Sequence, residues 1–131
     1  MSVRLEDLKI LVVEDEPPIR DLIAKVLDPL KHSNIFKARS TEHGLVLCAT
    51  QQYDLIIVEF DIDPTNGIMF TQELRNFPAG ANHKTPILMM ASYMSEQAIE
   101  EAVALGVTDL LMKPFSFDYL VKHINYIVSN A

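Results

Sequence analysis

Five short apolar runs constrain this chain more than anything else in it. They lie at residues 10–13, 35–38, 55–58, 87–90 and 108–112. Each is too short for a helix and is bracketed by turn formers or charge, so each reads as a buried strand. Between them lie segments with helical spacing. The first carries Ile19, Leu22, Ile23, Val26, Leu27 and Leu30 on one face. It starts at Pro17-Pro18, which suits a first turn, and Pro29 should end or kink it near Asp28. The second runs from about Thr41, as N-cap, to Gln51. The third follows Asn66-Gly67 and carries Ile68, Phe70, Leu74 and Phe77. The fourth follows Ser95 with Ala98, Ile99, Ala102 and Leu105, and Gly106 reads as its stop. The fifth starts near Ser116 and carries Leu120, Val121, Ile124, Ile127 and Val128.

Strand and helix thus alternate five times. Almost wholly apolar strands between amphipathic helices imply an α/β fold with a parallel sheet covered on both faces. In such sheets ligands sit beyond the carboxyl ends of the strands. Those ends are where this chain puts its charge. The first run ends in Glu14-Asp15-Glu16, the third in Glu59 and the fifth in Lys113-Pro114-Phe115. Carboxylates from two strands and an ammonium from a third describe a pocket for a cation and a phosphoryl group.

Residues 1–131 fit one domain, with no effector domain, and about half of them are apolar, enough for a core. No run approaches the roughly 18 apolar residues of a membrane span. The first nine residues lack a signal-peptide core, so a cytoplasmic setting is expected. A formal charge of −7 argues against nucleic-acid binding, which needs a basic face. Cys48 is the single cysteine and reads as a small buried hydrophobe. His32, His43, His83 and His123 show no ligand spacing, so zinc is not expected.

In this order and spacing, the stretches Ile10-Leu11-Val12-Val13-Glu14-Asp15-Glu16-Pro17, Tyr53-Asp54-Leu55-Ile56-Ile57-Val58, Gly67, Thr85-Pro86-Ile87-Leu88-Met89-Met90, Ala104-Leu105-Gly106-Val107-Thr108-Asp109 and Lys113-Pro114-Phe115 resemble the receiver domain of two-component response regulators. The resemblance covers almost everything from Lys9 to Ser129. It implies a five-stranded flavodoxin-like sandwich, strand order 2-1-3-4-5. It also implies a chemistry, in which an aspartate ending the third strand takes a phosphoryl group from a histidine kinase while Mg²⁺ neutralises the oxygens. Carried over by position, Glu14 and Asp15 match the acidic pair that holds the metal. Asp61 matches the residue whose backbone carbonyl completes the metal site, and Lys113 matches the phosphoryl-binding lysine. Lys113-Pro114 matches a peptide bond often cis in this family.

The departures fall on the working parts. Glu59 stands at the acceptor position, Ala91 at the hydroxyl position with Ser92 beside it, and Leu110 at the aromatic switch position. The proline after the acceptor comes one residue late, as Pro64. A glutamate reaches about 1.5 Å further than an aspartate, into the space of the phosphoryl group. There it can meet Lys113 or share a cation, weakly held Mg²⁺ included, with Glu14 and Asp15. It also displaces the nucleophilic oxygen, and a misplacement of about 1 Å can cost about 100-fold in rate. Crowded carboxylates should raise the pKa of one of them unless Lys113 or an ion compensates.

The expectation is a pseudo-receiver, not an enzyme, that acts through protein partners with weak or no phosphorylation. Those partners would be a histidine kinase or a downstream signalling protein, and the chain a monomer or weak homodimer. The resemblance points to the surface of the fourth helix, fifth strand and fifth helix, with Tyr93, Met94, Glu96, Gln97, Glu100, Tyr119, Lys122 and His123 as exposed candidates. One alternative keeps phosphotransfer, with Asp61 or Asp63 as acceptor. Another reads Asp61-Ile62-Asp63-Pro64-Thr65 as the D-x-D-x-T motif of haloacid-dehalogenase-type phosphatases, although that motif normally follows the first strand of its domain.

Overall fold

The computed structural model describes residues 8–27, 34–62, 65–77 and 80–129. Within them the alternation predicted from the sequence is complete. The strands are β1 (Ile10–Val13), β2 (Ile35–Ala38), β3 (Leu55–Glu59), β4 (Ile87–Ala91) and β5 (Asp109–Met112). The helices are α1 (Pro17–Leu27), α2 (Thr41–Thr50), α3 (Gly67–Arg75), α4 (Glu96–Ala104) and α5 (Phe117–Ser129). All neighbouring strands pair in parallel, in the order β2-β1-β3-β4-β5. This is the flavodoxin-like sandwich expected from the sequence.

Side chains alternate across a strand, so each central strand feeds two cores. Leu11, Val13, Ile56, Val58, Ile87 and Met89 face one way, onto Cys48, Phe70, Leu74, Ala98 and Ala102 of α2, α3 and α4. Ile10, Val12, Leu55, Ile57, Leu88 and Met90 face the other, onto Ile23 and Leu27 of α1 and Leu120, Ile124 and Ile127 of α5. Every residue of β1, β3 and β4 is buried, whereas the edge strands β2 and β5 are partly exposed. That pattern accounts for the unbroken apolar runs in the middle strands.

Several local expectations are corrected. Ser40, not Thr41, caps α2, because its hydroxyl lies three residues before His43 N and accepts from it at 3.0 Å. Thr41 is buried and takes a hydrogen bond from Thr65 Oγ1 at 2.9 Å. Leu22 lies off the buried stripe of α1, which runs through Ile23 and Leu27, and is 59% exposed. Phe77 lies beyond the end of α3, capped at Asn76, and is 63% exposed. Asp28, Pro29 and Leu30, expected to close α1, fall outside the described residues, as do His32, Asp63 and Pro64. Gly106 does stop α4, with φ +78°, the left-handed region that glycine enters without strain. Lys113-Pro114 is cis.

Two polar side chains tie the end of the sheet remote from Glu59. Asn82 is buried. Its amide donates to Cys48 O (2.9 Å) and Gln51 O (2.7 Å), and its carbonyl accepts from Tyr53 N (2.9 Å) and Thr85 Oγ1 (3.0 Å). It thus joins the end of α2, the approach to β3 and the loop before β4. Arg75, at the end of α3, donates to the carbonyls of Leu105 (3.1 Å), His83 (2.9 Å), Thr85 (3.0 Å) and Gly106 (3.3 Å). Burial lowers its pKa below the ordinary guanidinium value.

Asn82→Ala strands three backbone groups, two of them in buried hydrogen bonds. A buried group left unpaired costs about 1–3 kcal/mol. The substitution is expected to lower the unfolding free energy by about 2–4 kcal/mol with the site end of the fold unchanged. Urea denaturation measures the loss, and a cost near zero would show that water replaces the amide.

Candidate functional site

The sheet ladder continues one residue past three of its strands, and those extra bonds place the site. Glu14 N donates to Ala38 O at 3.0 Å, Phe60 N to Met90 O at 2.7 Å and Lys113 N to Ala91 O at 2.7 Å. Glu14 and Glu59 are thereby fixed at adjacent carboxyl ends, and Lys113 at the same edge of the sheet across β4. The loop after β3 is tied down by Gly67, whose N–H donates to Phe60 O at 2.9 Å. A Cβ at residue 67 would lie 2.7 Å from Glu59 O, a backbone atom that cannot yield, so the close approach needs glycine.

Lys113 is the hub. Its ammonium donates to Glu14 Oε1 at 2.9 Å and to Glu59 Oε1. Both carboxylates are buried, and Lys113 is nearly so. Each glutamate has a second tie, since Glu14 Oε2 accepts from Glu16 N and Glu59 Oε2 from Asp61 N, both at 3.4 Å. Arg20, on α1, braces the loop after β1 by donating to Glu14 O at 3.1 Å.

Burial pushes the Glu14 carboxyl above its ordinary 4.5, and the nearby Asp15 and Glu59 add to the effect, against the pull of Lys113. Crowding leads one to expect a raised carboxylate, but burial is the main cause here and the neighbouring acids contribute less than Lys113 takes away. Burial works the other way on Lys113, but the hydrogen bonds and charges of Glu59 and Glu14 together outweigh it and hold the ammonium above its ordinary 10.5.

The other sequence-derived residues are spread around this hub. Asp15 and Asp61 are exposed and, with Glu16, rim a cleft of about 550 Å³ that also takes in Phe60, Ser92, Tyr93 and Lys113. Ala91 is buried at the end of β4 and brings no hydroxyl. Leu110 is half-buried against the core on the α2–α3–α4 side. Among the exposed candidates Met94 is corrected. It precedes the Ser95 cap of α4, where an apolar side chain folds in under the helix start, and it is buried. Tyr93 is 76% exposed, and Tyr119 is also exposed. His123 is half-buried, its ring paired with Asp109 and stacked edge-on against Tyr119. Arg20 and Phe60 were not singled out from sequence. Arg20 sits on the polar side of an ordinary amphipathic pattern, and nothing in that pattern announces a backbone contact.

A family model described as the response regulator receiver domain matches residues 10–125. The chain belongs to that family. A probable chemotaxis protein CheY of Rhizobium etli is 27% identical over 113 residues, 86% of each chain. The KDP operon transcriptional regulatory protein KdpE of Escherichia coli is 31% identical over 111 residues, 85% of this chain and 47% of that protein. Among solved structures, the chemotaxis protein CheY4 of Vibrio cholerae superposes with a TM-score of 0.84 at 26% identity, covering 92% of this chain and 98% of that one. The chain spans about half the length of several transcriptional regulators it matches. It is a two-component receiver domain, of a kind that is generally a non-enzymatic signalling module.

Receiver domains generally bind Mg²⁺ at the phosphorylation site. The side chains present here do not fit that ion as they stand. Glu14 and Glu59 turn onto Lys113, Asp15 faces solvent, and the described residues contain no group of three or more acids, histidines or cysteines placed to share a metal.

The raised pKa of Lys113 sets a pH dependence. Its stabilisation is complete below 10.5 and is lost as pH rises through the higher folded value. The unfolding free energy should therefore fall above pH 10.5. Tyr53 and Cys48, which burial holds protonated (Cys48 from 9.0 up to about 12), begin a separate fall lower, from about pH 9, and do so in the native chain and in Lys113→Arg alike. Lys113→Arg keeps its charge and should flatten the decline. Urea midpoints across the alkaline range check this, and identical profiles for the two proteins would contradict it.

Proposed function

We propose that this chain is a degenerate receiver that signals through protein–protein contact, with weak or no phosphorylation. The observation that carries this reading is the engagement of Glu59 with Lys113. The longer side chain brings its carboxylate to the lysine that the family uses to hold an attached phosphoryl group. It thereby partly imitates the modified aspartate, with one negative charge in place of nearly two and no tetrahedral oxygens. The oxygen that would attack is instead held by an ammonium, which lowers its nucleophilicity and fixes its direction. Ala91 withholds a hydroxyl that would stabilise a bound phosphoryl group.

Partner contact then carries the output, with a histidine kinase or a downstream signalling protein as the partner class and the cytoplasm as the setting. The face formed by α4, β5 and α5 supports this reading. It exposes Tyr93 and Tyr119 beside Glu96 and Glu100 of α4, so it combines aromatic anchors with negative charge. Lys122 is exposed there too, whereas Met94 is withdrawn into the core. A partner with a basic, aromatic-accepting surface is the complement.

Use of Asp61 as a substitute acceptor is the competing reading. Asp61 is exposed in the cleft but lies two residues past the strand end, without the lysine contact of Glu59. The phosphatase reading needs Asp63, which lies outside the described residues, and the Thr65 hydroxyl of that motif is turned to Thr41.

Intact mass after incubation with acetyl phosphate and Mg²⁺ decides among these. No gain is expected in the native chain, beside an aspartate-containing receiver labelled in parallel. Glu59→Asp should acquire at least about tenfold more label, because it moves the oxygen back by one methylene. A Mg²⁺-dependent gain of one phosphoryl group by the native chain would defeat the proposal, and tandem mass spectrometry would then place it on Glu59, Asp61 or Asp63.

A further inference from the structure

Where the family places a divalent ion, this chain brings the ammonium of Lys113 between Glu14 and Glu59. A hard divalent cation needs several oxygens with lone pairs to give, usually from more than one carboxylate. The two buried carboxylates of this pocket already have both oxygens engaged, each by one hydrogen bond. Glu14 gives one oxygen to Lys113 and the other to Glu16 N, and Glu59 gives one to Lys113 and the other to Asp61 N. The ammonium sits between them, so an incoming ion meets a like charge at the point where both carboxylates converge. Asp15, the remaining acid of the implied set, is exposed beside Glu14, whose carboxyl it helps to raise, and Lys113 bonds to Glu14 and Glu59 rather than to it.

The length of residue 59 brings this about. Lys113 is held by two glutamates from different strands, Glu14 at 2.9 Å and Glu59, at the wall of the cleft and with both carboxylates buried. Burying charges is costly unless they are paired, and here one cation serves two anions. The geometry points to Lys113 as the resident cation of the pocket, doing the neutralising that a divalent ion does elsewhere, so that the native site takes no divalent ion. Divalent binding is then latent. Remove the ammonium, and Glu14 and Glu59 become an uncompensated buried pair, with Asp15 close to Glu14, that demands a cation.

This inference stands apart from the question of phosphorylation. A chain that binds Mg²⁺ but takes no phosphoryl group would fail here alone, and label on the native chain would fail the functional proposal.

The test is thermal unfolding of the native chain and of Lys113→Ala, with millimolar MgCl₂ or MnCl₂ at constant ionic strength. The native Tm is expected to stay within about 1 °C. The variant should melt lower without metal and rise by about 4–7 °C at a tenfold excess over its Kd. Glu59→Gln leaves Lys113 with Glu14 alone and should remain insensitive to metal. A native Tm that climbs with metal overturns the inference, as does a folded Lys113→Ala that gains nothing. If Lys113→Ala does not fold, Mn²⁺ broadening of backbone amide signals in the native chain decides. Unbroadened Glu14, Asp15 and Asp61 support the inference, and selective broadening of those three defeats it.

Discussion

Lys113 between Glu14 and Glu59 is the contact on which the site end of this molecule depends. Two anions and one cation, drawn from the ends of three strands, are held almost without water. None of the three would be tolerable alone in that position. Breaking a buried pair by removing one member leaves a bare charge, which is far more costly than the net worth of the pair. The arrangement therefore fixes where the loops after β1, β3 and β5 can lie.

The backbone prepares that contact before any side chain makes it. The parallel ladder runs one residue beyond β1, β3 and β5, and each extra bond sets the direction of a functional residue or of its neighbour. Gly67 lets the start of α3 close against the carbonyl of Glu59, so the strand end cannot slide. Separation of roles follows. The strand ends and Gly67 hold the position of residue 59, while its side chain alone selects what the position does.

Much of this was legible in the sequence because it depends on local pattern. Strands buried on both faces must be apolar throughout, so residues 10–13, 55–58 and 87–90 stood out, and the charges that closed the first, third and fifth runs marked the site. The meeting of Glu59 with Lys113 could be anticipated from side-chain length once the strands were aligned. Positions whose burial depends on a single turn could not. Leu22 is apolar yet off the stripe, Phe77 follows a helix that ends two residues earlier, and Met94 is folded inward by the cap beside it. Asn82 and Arg75 were invisible for a different reason. Polar residues near loops are common, and only the fold reveals that these two satisfy carbonyls from distant segments.

The Arg75 clamp has a consequence for how the molecule opens. Its guanidinium is held wholly by neutral carbonyl dipoles in the bonds described, while the opposite edge is held by an ammonium between carboxylates. Dipoles do not titrate, and a guanidinium stays charged far into the alkaline range. The two ends of the sheet thus answer to different solvents. Base discharges the ammonium bridge and leaves the Arg75 clamp charged, and at the far end it acts instead through the buried Cys48 thiol and Tyr53 phenol. At high pH both ends of the sheet therefore lose a buried or half-buried proton, one at the rim of an open cleft and the other inside the core.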